Sequence, residues 1–122
     1  MEKWTEDDLI RDGYDIENAL ITNVSLSTEN RGFLTLSLTL EGRGWGVIYG
    51  ANRCIATSNR PSPFGAMYIM KIMDLVECER LEGLKGKYVR VATKGWGSEV
   101  SIIGNIIKDK WFDMESFWED CK

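Results

Sequence analysis

The sequence predicts an α+β fold: an antiparallel sheet in the order βββ-α-ββ, with one long buried helix and short terminal helices. Three observations predict it. Residues 33–40 alternate strictly, with Leu34, Leu36, Leu38 and Leu40 on one face and Thr35, Ser37 and Thr39 on the other, the period of a half-buried antiparallel strand. Residues 64–77 are apolar at helical spacing behind the start signal Ser62-Pro63. Residues 87–93 set Val89 and Val91 against Tyr88 and Arg90, again with a period of two. The 122 residues, 43% apolar and 28% charged, fit a single domain over 1–122.

Thr5 is placed to cap a short helix over Glu6–Arg11. Glu6, Asp7 and Asp8 complement its dipole, and Gly13 ends it. Leu20–Leu26 alternates as a strand, and Glu29-Asn30-Arg31-Gly32 turns it back as a hairpin. A third strand is expected over Trp45–Tyr49. Residues 50–63, rich in Gly, Asn and Ser and holding both prolines, form the longest irregular segment, and such loops often carry function.

In the long helix, Ala66, Ile69, Met73 and Val76 make one face. Met67, Met70, Ile72 and Leu75 make most of the remainder apolar, leaving Tyr68, Lys71 and Asp74 as polar points. A helix this apolar predicts cover on both sides, the second supplied by another subunit. After residues 80–86, the turn Lys94-Gly95-Trp96-Gly97 leads to a strand over Glu99–Ile107, with Gly104 as a bulge. Asp113 caps a last helix in which Met114, Phe117, Trp118 and Cys121 recur at i, i+3, i+4 and i+7.

The chain has no histidine, which removes Ser-His and Cys-His pairs and nearly all zinc chemistry. Cys54, Cys78 and Cys121 form no CxxC pair and read as small, partly buried hydrophobes in a reducing compartment. Arg53 is the only cation adjacent to Cys54, too little to make a reactive thiolate. Neither GxxxxGK[ST] nor GxGxxG occurs. The acids at Glu6, Asp7, Asp8, Asp12, Asp15 and Glu17 read as dipole and surface charge, and Lys108-Asp109-Lys110 as a solvated strand end. The expectation is a protein without enzymatic activity, cofactor or metal. No apolar run has membrane-spanning length, and the acidic start, Met1–Asp8, predicts no signal peptide.

Charge is unevenly distributed. Residues 1–30 carry eight acids and two bases, residues 31–94 ten bases and five acids, and residues 95–122 six acids and three bases. The net charge of −4 argues against duplex DNA as a partner, but the basic middle suits a small anion. Two words, Arg43-Gly44-Trp45-Gly46 and Lys94-Gly95-Trp96-Gly97, share a cation, close-approach glycines and a flat stacking surface. Both also read as tight turns with Trp plugging the core. The helix start near Ser62 offers free N–H groups to a phosphate, with Arg53 and Arg60 nearby and Phe64 able to stack. The candidate ligand set is therefore Arg43, Trp45, Arg53, Arg60, Ser62, Phe64, Lys94 and Trp96.

Gly44-Trp45-Gly46, Ile69-Met70-Lys71-Ile72-Met73-Asp74, the run from Leu84 to Val91 and the run from Gly104 to Phe112 occur in an order that resembles small accessory proteins of phages and prophages of Gram-positive bacteria. The resemblance spans roughly residues 19–120 and carries no site residues with it. It implies a phage origin, the host cytoplasm and, by analogy, a counter-defence role. The leading expectation is a homo-oligomer joined through helix 64–77 that sequesters a small nucleotide-derived immune signal. The alternative is a protein–protein inhibitor of a defence complex, similar to an anti-CRISPR, and a metal-dependent nucleotide hydrolase comes third.

Overall fold

The computed structural model describes residues 4–30, 32–50, 54–57, 63–95 and 100–121. In chain order these form α1 (Glu6–Arg11), β1 (Asp15–Asn30), β2 (Phe33–Gly42), β3 (Trp45–Tyr49), β4 (Cys54–Thr57), α2 (Pro63–Val76), a 3-10 turn (Leu81–Leu84), β5 (Tyr88–Thr93), β6 (Ile102–Asn105), β7 (Trp111–Asp113) and α3 (Met114–Asp120). All strands join one antiparallel sheet in the order β3-β2-β1-β5-β6-β7, and β4 pairs with the far end of β2. The α+β class and the antiparallel sheet agree with the sequence. The strand count does not, because β4 and β7 are too short to carry a readable period. Gly104 is no bulge: it sits in regular register between Arg90 and Trp111.

The ends of the helices follow local chemistry. Asp8 N–H donates to Thr5 Oγ1 at 3.1 Å and Thr5 N–H donates to Asp8 Oδ2 at 3.3 Å, a reciprocal capping box. Asp113 Oδ1 accepts from the N–H groups of Glu115 and Ser116 and so caps α3. The expected cap at Ser62 lies outside the described residues.

The main core lies between the sheet and the pair α2 and α3. It is built from Ala19, Ile21, Leu36, Leu38, Leu40, Val89, Val91, Ile103 and Phe112 of the sheet, closed by Tyr68, Ile72 and Leu75 of α2 and Phe117 of α3. A smaller core on the opposite face packs Leu9 of α1 against Ala92 and Ile102. The long strand β1 serves the main core in both halves only because it slips at Thr22. Ile21 pairs with Leu40 and Asn23 with Thr39, so the inward parity passes from Ala19 and Ile21 to Val24. Plain alternation over Leu20–Leu26 misses this flip.

Helix α2 departs most from expectation. Its buried residues are Gly65, Tyr68, Ile72 and Leu75, so Tyr68 is a core residue and Ala66 is exposed. The reason is Gly65. A Cβ there would lie 2.5 Å from the carbonyl oxygen of Ile55, so the missing side chain lets α2 settle on β4 and turns the 65-68-72-75 stripe inward. Tyr68 stacks among Phe112, Phe117 and Trp118, and its hydroxyl lies 3.3 Å from Met114 Sδ. The helix is not buried all round: Met67 is 44% and Met70 67% exposed.

Candidate functional site

Among the eight nominated residues, Arg43, Trp45, Phe64 and Lys94 are described, while Arg53, Arg60, Ser62 and Trp96 lie outside the described residues. The four do not converge. Trp45 pairs with Gly42 across the β2–β3 hairpin, and its indole lies flat over that glycine, where a Cβ would be 2.1 Å from Trp45 Cε2. Its Nε1–H donates to Glu17 Oε1 at 3.2 Å, and its ring packs on the main core. Trp45 thus plugs the core, and Glu17, read as surface charge, holds the plug. Arg43 is exposed in the adjoining turn, where Gly44 takes a φ of 79°.

Lys94 sits on the other face of the sheet. Its ammonium lies 3.3 Å from Asp12 Oδ2 and 4.7 Å from the centre of the Tyr14 ring, beside the small core under α1. Phe64, 37% exposed, starts α2 beside β4, which pairs with β2 at Phe33–Thr35. Trp45 pairs at the other end of β2, roughly 20 Å away along the strand at about 3.3 Å per residue. One copy of the chain therefore cannot bring Trp45, Lys94 and Phe64 onto one small ligand.

Among the described residues, an extended polar network centres on Arg90, outside the candidate ligand set. Arg90 is 12% exposed at its side chain. It donates from Nε to the Asn105 carbonyl at 2.8 Å, from one terminal nitrogen to the Lys108 carbonyl at 2.8 Å, and from the other to Glu6 Oε1. Its guanidinium lies 4.6 Å over the Trp111 ring, which in turn covers Gly104. The signal in the sequence is a charged residue alternating with the inward Val89 and Val91; that it stands opposite Gly104 is decided by strand pairing. With these donors committed, Arg90 ties α1 to the β6–β7 turn.

That turn is not merely a solvated strand end. Asn105 Oδ1 accepts from the N–H groups of Ile107 and Lys108, and Asp109 Oδ1 accepts from Glu6 N–H and Trp111 Nε1–H. Lys108 reaches Glu77 at 2.8 Å, and Lys110 lies 3.8 Å from both Glu77 and Asp74. The hydrogen bond from Lys108 is the largest influence and holds the Glu77 carboxyl below its ordinary range; desolvation, next in size, opposes it, and the positive charges of Lys108 and Lys110 add to the lowering. Burial raises the Tyr49 phenol well above its ordinary value, and its hydroxyl donates to the Ser101 carbonyl at 3.0 Å.

Two further features bear on ligands. A shallow open groove along α3 is lined by Glu115, Ser116, Glu119 and Asp120, carboxylates unsuited to phosphate. Among the described residues, no three His, Cys, Asp or Glu side chains group as a metal site, and no helix is long and apolar enough to cross a membrane. Cys54 is exposed rather than partly buried, with its Sγ 3.4 Å from the Ala56 carbonyl, and Cys78 and Cys121 are half-buried. What α2 does present is an apolar ridge of Phe64, Met67 and Met70. No family model, curated protein or solved structure matches the chain.

Proposed function

We propose that this chain is a non-catalytic binding protein that acts by docking the α2 ridge, Phe64-Met67-Met70, onto another protein. The carrying observation is the exposure of that ridge on a helix whose other face is seated in the core: Met70 is 67% and Met67 44% exposed. Exposed methionines cost apolar hydration and adapt their shape to a partner, a combination used at binding surfaces. The reading is the sequence's runner-up, an inhibitor of a protein complex, and the phage-type resemblance nominates host-defence proteins as first targets. It gains over nucleotide sequestration because Trp45 and Lys94, two residues of the ligand set, bond to Glu17 and Asp12 of their own chain.

A photo-crosslinking side chain at position 70 tests it in extracts of a Gram-positive host. We expect one discrete adduct that is absent when the probe stands at Thr39 and is lost on Met67→Glu. Adducts that ignore the probe's position overturn the reading. Sequestration by an oligomer is the second reading, supported by Arg43 exposed in the β2–β3 turn. It predicts that signal nucleotides are retained and then recovered intact after the protein is removed by heat.

A further inference from the structure

The two sides of β1 have unequal cover. Along its first part, Asp15–Leu20 pairs with β5, and Ile21 exchanges hydrogen bonds with Lys87 and Gly86, both at 2.8 Å. Beyond the slip at Thr22 the strand keeps even register with β2 as far as Ser27 and slips again before Asn30; among the described residues no strand lies on its other side, and the 3-10 turn Leu81–Leu84 packs against part of β1. From Thr22 to Ser27, about 20 Å of evenly registered edge at roughly 3.3 Å per residue is left without a strand partner. Natural edges are guarded by lysines, prolines, inward charges or bulges, and here the second slip guards the far end beyond Ser27. The evenly registered residues 22–27, Thr-Asn-Val-Ser-Leu-Ser, contain no lysine, no proline and no ionisable residue.

We propose that this edge pairs with the same edge of a second copy of the chain, antiparallel, about a two-fold axis at Leu26. The evenly registered stretch is self-complementary about that axis. Leu26 meets Leu26 of the other copy on the face that continues the main core, and Val24 falls opposite Thr28, where the second slip begins. Ser25 meets Ser27 on the opposite face, and no charged side chains are brought together over this stretch. Leu26 is 42% exposed in the single chain, and the pairing covers it. A shift of the axis toward Ser25 drives the tip of each β1 into the start of β5, already paired at Leu20. The result is one sheet running through both copies, an isologous dimer distinct from the α2 surface.

Strand pairing of this length buries less than the roughly 800 Å² per partner of a standard interface, so a micromolar dissociation constant is expected. Sedimentation equilibrium of the full chain should give twice 13.9 kDa at high micromolar concentration. Leu26→Lys should weaken the dimer at least tenfold, and Ser25→Lys, on the other face, should do the same if Leu26→Lys perturbs folding by circular dichroism. Under oxidation, Leu26→Cys should form a disulfide-linked dimer above the level of the parent, because antiparallel partners approach within about 4.5–5.5 Å. Val24→Cys should not, because its partner is Thr28. A monomer throughout, equal crosslinking at both positions, or a dimer split by Met70→Glu but not by Leu26→Lys would overturn the proposal.

Discussion

Asn105 Nδ2 donates to the Leu75 carbonyl at 2.7 Å and so binds a late turn of α2 to the end of β6. Leu75 lies in the last turn of α2, where carbonyls have no partner within the helix, and Asn105 is 7% exposed, so both groups would otherwise be buried unpaired. The same side chain's oxygen takes the two N–H groups of the β6–β7 turn.

Asn105→Ala removes three hydrogen bonds and orphans their partners. The expected loss is about 2–4 kcal/mol, given roughly 1–3 kcal/mol per buried group left unsatisfied. Asn105→Asp should cost no less, since it keeps the turn but sets a carboxylate oxygen against the Leu75 carbonyl. Urea unfolding measures both. A loss below 1 kcal/mol for Ala would show that the amide is not holding α2.

Trp45 is a core plug, and its variants should behave accordingly. Trp45→Ala should destabilise by about 3–5 kcal/mol, the range of large aromatic truncations in cores. Trp45→Phe keeps most of the ring and loses the bond to Glu17, at about 1 kcal/mol. Gly42→Ala must displace the indole and should shift its fluorescence along with the unfolding midpoint. A Trp45→Ala chain as stable as its parent would return this residue to the ligand set.

Gly65→Ala tests the seating of α2. In an exposed helix the change would stabilise by about 1 kcal/mol. Here the Ile55 carbonyl stands in the way, a backbone atom that cannot rotate aside, and a net loss of about 1–3 kcal/mol is expected. Ala66→Gly, on the exposed neighbour, should cost about 1 kcal/mol by propensity alone. Thermal unfolding of the pair separates the two effects.

Glu77 makes stability depend on acid. Its carboxyl titrates lower in the folded chain than in the unfolded one, so its contribution is present above the ordinary carboxylate pKa and fades as pH falls through the depressed value. Glu77 also holds a φ of 61°, closing α2 with bonds from Glu77 N–H to Asp74 and from Cys78 N–H to Met73. Glu77→Gln should therefore flatten the stability profile below about pH 4.5, the ordinary glutamate range. A profile that matches the parent's through that range would exclude the pairing with Lys108. Glu77→Gly relieves the left-handed backbone but loses the lysine contacts, so the two effects oppose each other.

What the sequence by itself determined are the features written within a few residues. The Thr5 and Asp113 caps, Pro63 as first residue of α2, β3 over Trp45–Tyr49 and the inward Val89 and Val91 were all legible, because each depends on side chains one or two turns or pleats apart. The tertiary structure decided which face wins. Tyr68 turns inward because Gly65 meets Ile55, and β1 changes parity at Thr22 to keep both its halves over the core. Trp45 closes over Gly42 toward Glu17 instead of opening to a ligand, and Lys94 turns to Asp12 on the opposite face. Arg90 and Asn105 gather backbone carbonyls from segments up to 30 residues away. A local pattern states that a residue is polar, aromatic or apolar; only the packing of remote segments fixes which buried groups need a partner, and so which side chains stay exposed to meet another molecule.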